Sequence, residues 1–508
     1  MIKSVRSSFS FGVSGIDWID ISDACIIAEV LKLMEIIADL QLHSRFSRAV
    51  SPAMTIQNIA MWAKRKGIGL VATGDWTHPS WFREIERDLE EMGNGLLQLR
   101  RAELPDKNLD LPAGKAGPSS VSAGQNFIGS PRFSASPYFL LATEVSSIYK
   151  QGGKVRRVHT LIWVPSLDAA AKISREMTKR GCNLLSDGRP IIGLTCIQIA
   201  ELVFSIEPKA LIIPAHAWTP WFSTFGSMSG FDSIKDAFGP YADQIYAVET
   251  GLSSNPSMNW RIKELDNRSI VSFSDAHSGV KLGREATVFE LEDISYQSIY
   301  DAICAPRSLS SIAYTIEFYP EEGKYHYSGH RACGIRYSPE ESKEKGTMCP
   351  VCGKTLIQGV EQRVGELAGR TTDSLKLSVV SHQLSVDKST RVIGSKKFPK
   401  RPPFVMMVPL MEIISEVIGS PVTSPKVERV YTKLLHDVGS EFHILLHASL
   451  SDIEKSAGSM IATGVDRVRK GDIFIDPGFD GVFGVVKIWK KNEEGLVSRA
   501  REQLSLTL

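Results

Sequence analysis

The sequence has little charge imbalance, few cysteines and no long apolar run, and each shortage narrows what the chain can do. Its 508 residues carry 59 Lys and Arg against 57 Asp and Glu, a formal net charge of +2. A balance this close neither demands nor excludes a polyanionic partner, so local patches must decide. Seven cysteines is an odd number; Cys333, Cys349 and Cys352 cluster, while Cys25, Cys182, Cys196 and Cys304 stand alone. That distribution suits the reducing cytoplasm and a metal knuckle better than a disulfide framework. No uninterrupted apolar stretch approaches the roughly 20 residues that cross a bilayer, so a soluble protein with no membrane partner is expected. The apolar segment from Cys25 is broken by Glu29, Lys32, Glu35 and Asp39, which argues against a signal peptide.

With 43% hydrophobic residues, a chain of this length supports a large core plus one or two smaller units. Residues 1–33 read as an N-terminal extension, and Met34, just before the first apolar run, is a candidate start of the functional chain. From 34 to 313 the runs IIADL, GLVATGD, YFLLATE, VRRVHTLIWV, ALIIPAH, IYAVE and IVSFSDAH read as buried parallel strands. Helical stretches such as TIQNIAMWAKRKG and LDAAAKISREMTKRG stand between some of them, which predicts an α/β domain. A segment at about 103–134, rich in Pro, Gly and Ser, reads as a flexible inserted loop. After it come a small cysteine-bearing unit (314–370), a basic polar linker (371–403) and a mostly helical C-terminal domain (404–508). Within the last, IFIDPGFDGVFGVVKIW reads as a hairpin with glycine turns.

Carboxylates and imidazoles gather at or near the ends of the apolar runs: Asp39, His43, Asp75, Glu144, His159, His216, Glu249, Asp275 and His277. In barrels of parallel strands, active sites sit at the strand C-termini. Hydrolytic metal sites need hard oxygens and imidazoles enough to hold two cations and leave positions open. Asp275 and His277, one residue apart, are placed to serve neighbouring metals. Glu144 could bridge two ions, and His159 and His216 offer imidazoles to the same cavity. Asp39 is a weaker candidate that orients the site from behind. Glu249 stays open between ligand, substrate contact and structural carboxylate.

In order along the chain, DLQLHSRFS, TGDWTHP, TEVSSIY, PAHAWTPW, VETGLSS and SDAHSG resemble the polymerase and histidinol phosphatase (PHP) superfamily, and within it the endonuclease Q family. The resemblance runs from about residue 35 to the C-terminus. It implies a distorted (β/α) PHP barrel with two or three divalent ions, zinc, magnesium or manganese. Position 41, His43, Glu144 and Asp275 would hold one metal, and Glu144, His159 and His216 a second. Asp75 and His277 would face a third or shared position, with His78 a competitor for Asp75. Asp275, Glu144 and His277 are the candidate catalytic residues. Gln41 departs from the family's His-x-His pattern; it is either a weak neutral ligand or a hydrogen-bond partner of metal-bound water.

His330-x2-Cys333 followed by Cys349-Pro-Val-Cys352-Gly has the spacing of two ligand pairs, which suits one structural tetrahedral zinc, with His326 competing for His330. Lys388, Arg391, Lys396, Lys397, Lys400 and Arg401 are either a phosphate-binding patch or a solvated linker. Trp76, Trp81, Phe82, Trp218, Trp221, Phe222 and Phe225 are either packing at the barrel mouth or walls for a base pulled from the stack. The resemblance implies cleavage of damaged DNA on the 5′ side of uracil, hypoxanthine, xanthine or an abasic site. A phosphatase of small monoesters and a non-catalytic nucleic-acid binder are the alternatives.

Overall fold

A computed structural model describes residues 33–100, 127–128, 136–304, 308–380 and 384–490. The expected N-terminal extension and the 103–134 insertion lie outside the described residues, residues 33 and 127–128 apart. The strands are β1 (Met34–Asp39), β2 (Leu70–Ala72), β3 (Leu89–Glu91), β4 (Leu97–Leu99), β5 (Phe127–Ile128), β6 (Tyr138–Gln151), β7 (Lys154–Val164), β8 (Ile191–Ile192), β9 (Leu211–Pro214), β10 (Ala247–Glu249), β11 (Ser269–Val271), β12 (Ala286–Leu291) and β13 (Ser311–Glu317). After them come β14 (Ser328–His330), β15 (Ile335–Tyr337), β16 (Leu377–Val379), β17 (Val392–Ser395), β18 (Phe404–Met406), β19 (Phe474–Asp476) and β20 (Val485–Lys487).

Around the core the neighbours run β12-β1-β2-β6-β7-β9, and β10 and β11 form a separate parallel pair. β10 packs beside β9, and Ser272, just after β11, donates its N–H to Thr287 of β12. The ring therefore closes as a PHP-like barrel with gaps in its ladder. Both faces of its strands are covered: Leu140 and Ile213 on the face that carries Glu144, and Ile37, Val71 and Val288 on the other, are all shielded from solvent. Local signals set the helices around it. Thr55 caps Ile56–Lys66 and Gly67, at φ 86°, ends it; a Thr195/Gln198 capping box starts Cys196–Ile206.

Two expectations are corrected. The strands are not all parallel: β7 runs antiparallel to β6, joined by Gly152–Gly153, and β12 runs antiparallel to β1. The glycine pair, both at positive φ, permits a tight hairpin where parallel strands were expected. Nor is 371–403 only a linker. β16 and β17 extend the barrel's own sheet through β18 and β13, because Val392 and Phe404 find apolar cover there. The C-terminal region is mostly helical, with helices Leu410–Ile418, Pro425–Asp437, Glu441–Leu446, Leu450–Ala457 and Ser459–Lys470, followed by the β19–β20 hairpin. No helix among the described residues is long and apolar enough to cross a membrane.

Candidate metal centre

Beyond β1 the chain leaves the ladder, and a parallel bridge from Leu42 to Ala276 holds Gln41–His43 beside Ser274–His277. Fully buried His43 then has Nε2 3.2 Å from Glu144 Oε2 and 3.2 Å from Asp275 Oδ1. Glu144 lies halfway along β6, where that strand has outrun its partner β2, so its carboxylate enters the mouth of the barrel. Its other oxygen meets His159 Nδ1 and lies 3.5 Å from His216 Nε2; the two imidazole nitrogens are 3.1 Å apart. The donor atoms of Glu144, His159 and His216 fall within 4.8 Å of one another, as do those of His43, Asp275 and His277. Glu144 touches both groups.

The surrounding residues hold these side chains through hydrogen bonds. Asp75 accepts from His43 Nδ1 at 3.0 Å through one oxygen, and through the other from Ser44 N, Ser44 Oγ and Ser47 Oγ at 2.6, 2.7 and 2.8 Å. Glu249 accepts from the His216 backbone N–H at 2.6 Å, and Asp39 from Ser274 and Gly283. His78 caps the helix Pro79–Asp88 and stacks on Phe46. Of the seven non-glycine residues with positive φ among the described residues, Asp75, His216, Phe222 and Asp275 are at this site. A left-handed conformation costs roughly 1–2 kcal/mol per residue, and such strain persists where the surroundings over-determine it, as at functional sites.

Burial pushes His159 down to about 4, against the pull of Glu144. Burial raises Glu144, yet His159 and the Arg189 guanidinium outweigh it and hold the carboxyl well below its ordinary range. Burial likewise opposes the ionisation of Asp275, but His43 brings it down to about 2. Gln41 donates Nε2–H to Glu144 Oε2 at 2.8 Å, leaving its own buried Oε1 without a hydrogen-bond partner. Two carboxylates, several imidazoles and an unpartnered amide oxygen converging in one cleft fit divalent cations.

The lesion-specific endonuclease PfuEndoQ from Pyrococcus furiosus is similar over 91% of this chain and 99% of its own, at a TM-score of 0.69 and 28% identity. This chain has the endonuclease Q fold. A second endonuclease Q structure, a complex with a 27-mer duplex carrying an abasic lesion at the active site, matches at 0.69 and 29% identity over 90% of this chain and 98% of that one. Residues 409–472 match the family described as MJ0043 C-terminal domain. Protein MJ0043 of Methanocaldococcus jannaschii is 30% identical over 279 residues, 53% of this chain. The matched region spans 31% of MJ0043's length. YqxK of Bacillus subtilis is 27% identical over 337 residues, 65% of this chain and 74% of YqxK.

Alongside the endonuclease Q barrel, His330, Cys333, Cys349 and Cys352 bring one nitrogen and three sulfurs within 4.8 Å, and His330 Nδ1 is 3.5 Å from Cys352 Sγ. His326 lies outside this group, buried and tilted against Tyr327. Among the expected DNA contacts, Trp218 is corrected. It is fully buried, stacked on Phe225, with its indole N–H donated to Asn259, so it is core. Arg401 is held by Asp266 and lies over the Phe398 ring, whereas Lys396 and Lys397 are exposed. Trp221 and Phe222 are half-buried, Phe222 with its ring 5.0 Å from His159. Sequence reasoning missed Arg189. It lies on a loop before the two-residue strand β8 and reaches within 3.5 Å of Glu144 Oε1; nothing in SDGRPIIG marks it as a site residue.

Proposed function

We propose that this chain is a metal-dependent DNA endonuclease that cuts the phosphodiester on the 5′ side of a deaminated base or an abasic site. The observation that carries the reading is the carboxylate of Glu144 shared between two donor groups, within a fold like that of an endonuclease Q bound to an abasic duplex. Zinc, magnesium or manganese suits the two groups, and Zn²⁺ suits the soft set of His330, Cys333, Cys349 and Cys352. Bound at the barrel, such cations supply a water of lowered pKa and charge opposite a phosphate.

The chain's own residues divide the remaining work. Asp75 orients His43 through Nδ1, leaving Nε2 for ligation, and Glu249 fixes the backbone that carries His216. Asp275 and His277 keep 22% and 32% of their side chains exposed, so they form the wall that meets substrate. Lys396 and Lys397 offer charge to the DNA backbone, and Trp221 and Phe222 offer rings to a displaced base. A cytoplasmic place of action accords with the unpaired thiols.

The test is incubation of the pure protein with Mg²⁺, Mn²⁺ or Zn²⁺ and labelled duplexes bearing uracil, hypoxanthine, an abasic site or no lesion, and separately with a phosphomonoester. Lesion duplexes should be cut once, 5′ of the lesion, while Asp275→Asn abolishes cutting and retains DNA binding. Hydrolysis of the monoester with every duplex left intact would overturn the reading.

A further inference from the structure

Arg189 is placed with a care that its loop alone does not require. Gly188 N–H donates to Phe46 O at 3.0 Å, Pro190 O accepts from Ser146 N at 3.0 Å, and Asp187 Oδ1 accepts from the N–H groups of Arg48 and Arg189. A Cβ on Gly188 would lie 2.3 Å from both Asp75 Oδ2 and Ser47 Oγ, so the loop is seated against the polar shelf behind His43. From this base the side chain brings Nη1 to 3.4 Å from His43 Nε2 and 3.5 Å from Glu144 Oε1.

Those distances exceed the ~2.7–2.9 Å of a well-made charge-assisted hydrogen bond. The guanidinium is thus beside the carboxylate without being consumed by it, and a quarter of the side chain (25%) stays exposed. His43 Nε2 cannot accept from Arg189 once it ligates a cation, which leaves donors of a permanently charged, planar group at the point where the two donor groups meet. An oxyanion with two adjacent oxygens is the acceptor that such a fork matches.

We propose that Arg189 is a catalytic residue whose guanidinium binds the non-bridging oxygens of the phosphate being hydrolysed. This rests on the phosphoesterase reading above, and the test separates the two. Inorganic phosphate is titrated calorimetrically into the Zn²⁺-loaded full chain and its Arg189→Ala and Arg189→Lys variants, with metal content measured on the same samples. Arg189→Ala should weaken phosphate binding at least about tenfold and, on lesion duplexes, lower kcat about 10²–10³-fold, with metal content unchanged. Arg189→Lys should fall between, and added guanidinium ion should restore part of the alanine variant's loss. Unchanged phosphate affinity overturns the proposal. So does a loss of bound metal parallel to the loss of phosphate, because Arg189 would then act only by neutralising Glu144. Failure of the wild type to cut any duplex, with phosphate binding still dependent on Arg189, would count against the DNA substrate and leave Arg189's role standing.

Discussion

Gln41 is where a single residue sets the character of the centre. Its amide spends one donor on Glu144 Oε2, an oxygen that also lies 3.2 Å from His43 Nε2. Its own Oε1 is buried without a partner. Which end of an amide faces a carboxylate follows the hydrogen-bond network, and a cation between Gln41 and Glu144 would favour the opposite orientation. An amide oxygen is neutral and a weaker ligand than imidazole for zinc-like ions. Gln41→His should therefore tighten zinc at the His43 group by about tenfold, equivalent to roughly 1.4 kcal/mol, read by competition with a chromogenic chelator. Equal affinities for the two proteins would mean that position 41 serves only to bond Glu144.

At the scale of elements, the centre depends on strand ends that turn sharply and on glycines that let them meet. Gly251, at φ 59°, leaves β10 so close to His216 that an added Cβ would lie 2.3 Å from the histidine's Cβ. A Cβ added at Gly153, at φ 74° in the β6–β7 turn, would meet nothing within 4 Å. Gly153→Ala should lose only the roughly 1–2 kcal/mol of a left-handed alanine, with metal content unchanged. Gly251→Ala should lose more in thermal denaturation and also displace His216, lowering occupancy of the Glu144, His159 and His216 group in metal analysis. Equal metal content in the two variants would show that Gly251 does not set the ligand.

These turns also mark the limit of what the residue pattern revealed. Glu144, His159, His216, Asp275 and His277 were legible because hard donors near successive apolar runs must converge if the runs form one barrel. Strand direction was not legible, since a fully buried strand reads as a continuous apolar run whichever way it points, so the runs of the β6–β7 hairpin read the same as parallel strands. Asp75 is legible as a carboxylate at a strand end, but the Ser44 and Ser47 donors that engage it are not. Arg189 was invisible, because a lone arginine in a polar loop gains meaning only from what it reaches.

Across the whole molecule, the barrel and the helical region share one core, continuous from Ile36 to Trp489. Lys66 of a barrel helix makes a buried 2.7 Å ion pair with Glu441, and Arg469 donates to the carbonyls of Ile444, Leu445 and Ala448. Within the expected 314–370 unit, Ile316, Tyr319, Val360 and Val364 belong to that core, while the cysteine-bearing part between them has Tyr337, Cys349 and Leu356 as its own buried cluster. Three residues cannot offset the chain entropy of the unit, whereas a structural zinc contributes roughly 10–16 kcal/mol. The β19–β20 hairpin leans on this unit through Arg336 to Asp476 at 2.7 Å, Arg331 N–H to Asp480 at 2.7 Å and Tyr327 N–H to Gly478 O at 3.0 Å. Cys349→Ser should thus remove one equivalent of zinc and open both 331–357 and 474–487 to limited proteolysis, while melting of the barrel shifts by no more than a few degrees. Barrel and unit unfolding together would place the unit inside the main cooperative core. A full zinc complement in the variant would mean that Cys349 is not a ligand, and the stability of the unit would then have to come from its contacts with the hairpin.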